Sequence, residues 1–170
     1  WARIARTPGA ALGSTRRKLR PDDLPYIFNR FEKENIGYLF IIGGNDSAET
    51  GHTIFAESKK TGYDLAVINV PKTIDNDLTL TDHSPGYGSA ARFVALATMG
   101  AGRDAESMGQ FSPITIIEVM GRDAGWLAAA SAIVRRDERD SPHLITIPEA
   151  PLHESRFLTH IEDAYRRFGF

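Results

Sequence analysis

The sequence predicts an α/β protein: a doubly wound, mainly parallel sheet with helices on both faces, in one domain over residues 1–170. Two observations predict it. Runs of strand length that are apolar throughout, not alternating, take turns with segments of helical periodicity, and strands of that kind belong to parallel sheets covered on both faces. The odd polar clusters directly follow those runs, at the carboxyl edge of the sheet where such folds bind ligands.

The elements follow in order. Asp22 or Asp23 caps a helix whose apolar positions Leu24, Ile27, Phe28 and Phe31 recur at helical spacing, and Asn35 and Gly37 stop it. Residues 38–42 form the first strand, followed at once by Gly43-Gly44-Asn45-Asp46-Ser47. Residues 48–60 read as a helix with Ile54 and Phe55 inward, ended by Gly62, and 65–70 as the second strand. A helix over 89–99 carries Phe93, Leu96 and Ala97 on one face. Residues 113–119 are the third strand and 125–134 a helix. Residues 144–147 are the fourth strand, stopped by Pro148, and 155–168 the closing helix.

Composition bounds the function. The 170 residues are 42% hydrophobic and 25% charged with a net charge of −2, which gives no reason to expect nucleic acid or membrane as a partner. No apolar run approaches the roughly 20 residues that span a bilayer, and a cytoplasmic address is the expectation. The absence of cysteine excludes disulfides, thiolate metal sites and cysteine nucleophiles. Arg3, Arg6, Arg16, Arg17, Lys18 and Arg20 make the first 20 residues basic and acid-free, a composition shared with organelle transit peptides. Trp1 and Phe170 both look like cut ends, as of part of a longer chain.

The strand-end loops carry the chemistry. Gly43-Gly44 permits a sharp turn and close backbone approach, and Ser47 falls at a helix N-terminus that offers unpaired N–H groups to an anion. The plainer reading is a capped strand-to-helix turn. No Gly-Lys-Ser/Thr follows, so this is not a Walker A loop. Asp75 and Asp77, with Asp82 further on, either hold Mg²⁺ through oxygen, supply a base, or form a solvated acidic turn. Lys72 and the position at a strand end favour a site. Gly86-Tyr87-Gly88-Ser89-Ala90-Ala91 fits a loose dinucleotide fingerprint but follows a polar loop, so it reads as a helix start built for close approach. Arg16, Arg92 and Arg122 lie beside small residues, as phosphate-binding arginines do, or are plain surface cations. The five histidines show no metal-ligand spacing.

Taken together these loops resemble the phosphofructokinase family. The matching words are Gly-Gly-Asn-Asp-Ser at 43–47, Pro-Lys-Thr-Ile-Asp-Asn-Asp at 71–77, Pro-Gly-Tyr-Gly-Ser-Ala-Ala-Arg at 85–92, Met-Gly-Arg-Asp-Ala-Gly-Trp-Leu-Ala at 120–128 and Ile-Pro-Glu at 147–149. Residues 11–16 also resemble the family's phosphate-binding segment, which makes the basic start interior enzyme instead of a transit peptide. The resemblance implies that Asp75 is the base for the 1-hydroxyl of fructose 6-phosphate. It puts Thr73 and Ile74 at the substrate, Asp77 near Mg²⁺, and Met120, Gly121, Arg122 and Glu149 on the sugar phosphate. Arg16, Gly44 and Ser47 face the donor's phosphates.

The resemblance also bears on the donor. Members that use ATP resemble Gly-Gly-Asp-Gly-Ser and Pro-Gly-Thr-Ile-Asp-Asn-Asp, with glycines where this chain has Asp46 and Lys72; an acid and a lysine at those places go with pyrophosphate. A carboxylate about 4 Å from an α-phosphate repels it by ~4 kcal/mol per charge pair at an effective dielectric near 20. A lysine supplies part of the cation that a small, highly charged donor needs. Three departures qualify the match. Asn45 stands where many members have a metal-binding aspartate, offering oxygen without charge. Pro113 replaces an arginine that reaches a neighbouring subunit's substrate in a homo-oligomer. The family's opening glycine-rich loop and later half are missing, so a catalytic lobe of a two-lobed enzyme is expected. ATP-dependent transfer and a non-catalytic regulatory or assembly lobe are the alternatives.

Overall fold

The computed structural model describes residues 2–7, 9, 11, 13 and 17–170, so the expected phosphate-binding segment at 11–16, Arg16 included, lies largely outside the described residues. The chain divides into two compact units, 1–41 with 46–69 and 42–45 with 70–170.

In the first unit, α1 (Leu24–Lys33) starts where the sequence predicts. Asp23 works through the turn before it, its Oδ2 accepting the Arg20 N–H at 3.0 Å. The apolar stripe of α1 buries Leu24, Phe28 and Phe31 against Ile54 and Leu65, with Tyr63, Leu39, Ile41 and Val67 around them. Phe28 meets Phe31 and Tyr63 edge to face at 5.7 and 5.8 Å, an arrangement that suits the ring quadrupoles. The Tyr63 hydroxyl donates to the Ile36 carbonyl at 2.7 Å, so its polar end is satisfied.

Strands β1 (Tyr38–Gly43) and β2 (Ala66–Pro71) pair directly, joined through α2 (Asn45–Thr61). Ala66 N–H donates to Gly37 O at 2.9 Å and Lys72 N–H to Gly43 O at 3.0 Å, two bonds of identical separation along the chain. Constant separation means parallel strands, and the helix between them makes a βαβ crossover. The second helix starts three residues earlier than expected, so Asn45, Asp46 and Ser47 occupy its first turn.

In the second unit, α3 (Tyr87–Met108) runs well past the expected end at residue 99. Gly102, within the added length, serves packing: a Cβ there would lie 2.6 Å from the Ser141 Cβ. The buried side of α3 is its small face, Ala91, Ala95, Thr98 and Ala105. It packs against α4 (Trp126–Ala130) and the 3₁₀ turn Ser131–Val134 that follows. The larger face is outward, with Phe93 73% and Leu96 48% exposed, because close helix approach selects small side chains.

The expected third and fourth strands need correction. Among the described residues, neither 113–119 nor 144–147 joins a strand ladder. With α3 and α5 (Glu154–Phe168) they line a cavity of about 260 Å³, and Ile116 is 85% exposed. Continuous hydrophobicity reports a demand for burial and says nothing of a hydrogen-bond partner. No described helix is long and apolar enough to cross a membrane.

The packing separates two phenylalanines that look alike in sequence. Phe28→Ala should cost about 3–5 kcal/mol of stability in urea denaturation, whereas Phe93→Ala should change it by less than about 0.5 kcal/mol.

Candidate active site

Beyond β2 the chain leaves the strand at Lys72 and returns at Gly86. The Thr73 N–H donates to the Pro85 carbonyl at 3.0 Å, and Thr73 and Gly86 form an isolated parallel bridge. Gly86 has φ 109°, and a Cβ there would come within 3.2 Å of the Thr73 carbonyl oxygen, so glycine is what lets the two ends meet. Ile74 turns inward and packs against Ala91, Leu127 and Ala130, which commits its side chain to the core.

Asp75 sits on this closed loop. Its Oδ1 is buried and has no hydrogen-bond partner among the described residues. Its backbone N–H is the tied part, donating to Thr73 Oγ1 at 3.2 Å. Burial pushes the Asp75 carboxyl above the ordinary carboxylate range, and the Asp77 charge pushes it further. The Arg122 and Lys72 charges pull the other way, and Asp123 adds a smaller push upward. The structure thus brings Asp77, Lys72 and Arg122 within electrostatic reach of Asp75.

The first strand's loop meets the second's here. Gly44 lies against Thr73: a Cβ on it would be 3.5 Å from the Thr73 Cβ, ordinary contact. Asn45 Nδ2 donates to Asp77 Oδ2 at 2.8 Å. That bond needs the amide, since a carboxylate at 45 would set two negative charges together. Asp46 and Ser47 belong to the first compact unit, where the Asp46 carbonyl accepts the Thr50 hydroxyl at 3.0 Å within α2.

The third loop is shaped by glycines. Gly121 has φ 120°, and a Cβ there would strike the Ala124 carbonyl oxygen at 2.3 Å. Met120 is 60% exposed, and the exposed Arg122 bonds through Nε to Asp123 Oδ2 at 3.0 Å. Glu149 Oε1 accepts the buried Gly125 N–H at 2.8 Å, tying the fourth loop to the start of α4.

Sequence reasoning passes over Asn76, the residue between the two acids. It is buried with φ 57°; its Oδ1 accepts the Ser84 N–H at 2.8 Å and its Nδ2 donates to the Asp82 carbonyl at 3.3 Å. The available signal was its type: asparagine is the side chain that most readily accepts a left-handed backbone.

A parallel βαβ unit with two carboxylates and a lysine gathered in the loop after its second strand, and the Arg122 charge within reach of one of them, is an α/β domain. The chain belongs to the phosphofructokinase family: the family model described as phosphofructokinase matches residues 1–169. It is 45% identical over 169 residues to the pyrophosphate–fructose 6-phosphate 1-phosphotransferase of Rhodospirillum rubrum, covering 98% of this chain and 40% of that protein. The crystal structure of a pyrophosphate-dependent phosphofructokinase from Marinobacter aquaeolei superposes with a TM-score of 0.81 at 40% identity, over 96% of this chain and 41% of that one. An ATP-dependent 6-phosphofructokinase of Trypanosoma brucei is 31% identical over 160 residues, 94% of this chain and 30% of the relative. The chain therefore spans about two-fifths of the length of the pyrophosphate-named relatives.

Two outcomes are expected from this geometry. Asn45→Asp replaces a hydrogen bond by a charge repulsion, so without divalent cations it should lower stability by about 1–2 kcal/mol, and Mg²⁺ should recover the loss in a thermal melt. The raised Asp75 pKa means that the folded chain binds more protons than the unfolded one between the ordinary and the raised value. Its contribution to stability therefore falls as pH rises through that window. Asp75→Asn should melt higher than the parent at neutral pH, and the difference should close below the ordinary carboxylate pKa.

Proposed function

We propose that this chain is the catalytic lobe of an enzyme that moves a phosphoryl group from pyrophosphate to the 1-hydroxyl of fructose 6-phosphate. The products are fructose 1,6-bisphosphate and orthophosphate, and the reaction is reversible. The observation that carries the reading is the buried, unpartnered Oδ1 of Asp75 on a carboxyl already raised toward neutrality. A base of that kind is poised to accept a proton, and its Oδ1 has no hydrogen-bond partner among the described residues to compete for it.

In this reading the 1-oxygen forms a bond to the transferred phosphorus as its proton passes to Asp75, and the bridging P–O bond of pyrophosphate breaks. Little covalent work falls to the protein, which positions the reactants and offsets charge. The Lys72 backbone N–H itself makes the bond to Gly43 O that joins the ends of β1 and β2, and its ammonium offsets charge on the departing phosphate. Thr73 and the backbone at Ile74 border the base on the sugar side. Met120, Gly121, Arg122 and Glu149 hold the sugar phosphate, Glu149 with the carboxylate oxygen not used by Gly125. Arg16, Gly44 and Ser47 take the donor phosphates, and Asp46 excludes the α-phosphate of a nucleotide.

The residues fit Mg²⁺. Among the described residues no three His, Asp or Glu form a ready cage, and Mg²⁺ does not ask for one: one or two carboxylates with phosphate and water suffice. Asp77 and the Asn45 carbonyl oxygen are the donors this chain offers. Bound there, the ion would supply charge neutralisation for the phosphates. The full-length enzyme is proposed to be a homo-oligomer acting on small molecules in the cytoplasm.

The test is phosphorylation of fructose 6-phosphate by the full-length protein, compared in kcat/KM for pyrophosphate and ATP. Pyrophosphate should be preferred, and Asp46→Gly should admit ATP weakly while lowering pyrophosphate activity. A parent that already prefers ATP would overturn the donor assignment. Asp75→Asn should lower kcat by roughly 10²–10⁴ and leave fructose 6-phosphate binding nearly unchanged by calorimetry. A variant that keeps most of its kcat removes Asp75 from the role of base.

A further inference from the structure

Asp75 presents a positioning problem. A catalytic carboxylate held by its own hydrogen bonds is placed by its side chain, but Asp75 Oδ1 has no partner among the described residues. Its placement must come through the backbone on either side. On the amino side the hold is visible: Ile74 is set into the core and the Asp75 N–H is bonded to Thr73 Oγ1.

On the carboxyl side stands Asn76. Its left-handed backbone turns the chain between Asp75 and Asp77, and both functional atoms of its amide are used across the loop, on Ser84 N–H and Asp82 O. Ser84 is fully buried, and its carbonyl accepts the Tyr87 N–H at 3.1 Å at the start of α3. The Thr81 hydroxyl donates to the Leu78 carbonyl at 2.7 Å, so the span between the two anchor points is closed on itself. The loop therefore has two closures in series, the Thr73–Gly86 neck and the Asn76–Ser84 clasp, with Asp75 between them.

We propose that Asn76 is a positioning residue for the phosphoryl-transfer reaction: its side-chain amide clasps the loop to Asp82 and Ser84 and fixes the backbone that carries Asp75 and Asp77. The inference rests on the function proposed above for Asp75. Asn76 itself touches no reacting atom. A small displacement of a general base is costly in rate because the reacting atoms must be aligned to a fraction of an ångström. The Asn45 amide reaches the loop at Asp77, and besides Asp77 the charges that act on the Asp75 carboxyl are those of Lys72, Arg122 and Asp123.

The experiment uses two variants in the full-length chain. Asn76→Gly keeps the left-handed backbone and removes the amide. Asn76→Asp keeps an acceptor for the Ser84 N–H and adds a charge next to Asp75. Three quantities are read: hydrogen exchange at residues 82–84, fructose 6-phosphate affinity by calorimetry, and the pH profile of kcat with pyrophosphate. In Asn76→Gly, exchange at Ser84 should speed at least tenfold, kcat should fall at least tenfold, and sugar-phosphate affinity should stay within about threefold. In Asn76→Asp, Ser84 should stay protected. Its acidic limb should move to higher pH, and kcat at the alkaline end should exceed that of Asn76→Gly. Unchanged Ser84 exchange in Asn76→Gly overturns the clasp, with or without activity. A kcat within twofold of the parent overturns the positioning role. Equal losses in both variants with no shift of the acidic limb overturn it too, since that is the pattern of general loosening. If the parent shows no transfer from pyrophosphate or ATP to fructose 6-phosphate, the proposed function fails, and the clasp then stands or falls on the exchange data alone.

Discussion

The neck of the loop after β2 is the constraint on which the site depends. Thr73 and Gly86 approach so closely that a Cβ on Gly86 would sit 3.2 Å from a carbonyl oxygen, and the backbone there has φ 109°. With the neck closed, the dozen residues between are held in a loop whose polar groups bond to each other. One oxygen of a half-buried carboxylate, Asp75 Oδ1, can then be shut away from water with no hydrogen-bond partner among the described residues, because the fold and not the side chain fixes its place. The cost is an acid raised above its ordinary pKa, which weakens the fold at neutral pH while suiting proton transfer.

Charge around Asp75 is balanced, not neutralised. Asp77 and Asp123 push its pKa up, and Arg122 and Lys72 pull it down. Asn45 enters this balance indirectly. By donating to Asp77 it joins the loops after β1 and β2 without adding a carboxylate, doing with a hydrogen bond what an acid at that position would need a cation to do. The asparagine that stands where many family members have a metal-binding aspartate thus gives the two loops a direct link.

Much of the frame was legible from periodicity. The parallel βαβ unit, the aromatic face of α1 and the placement of the first two polar clusters, at 43–47 and 71–77, at strand ends follow from apolar runs and their punctuation, and that is how the structure arranges them. What was not legible depends on partners far along the chain. The extent of α3 turns on Gly102 making room for Ser141, which no local rule reveals. Phe93 and Leu96 look like a core face until the small-residue face beside them is found packed on α4. Residues 113–119 and 144–147 are apolar enough for strands, but pattern alone cannot supply a ladder. In the site, the acids of the loop were visible by type. Asn76 was not, because a clasp is defined by the two backbone groups it reaches.

The central claim, that the loop holds Asp75 desolvated beside Asp77, is tested most directly by titrating its carboxyl carbon with ¹³C NMR in the full-length protein and in Asp77→Asn. Asp75 should titrate above the ordinary carboxylate range in the parent, and lower in Asp77→Asn, where the neighbouring charge is gone. An Asp75 that titrates at or below the ordinary value in the parent would contradict the account.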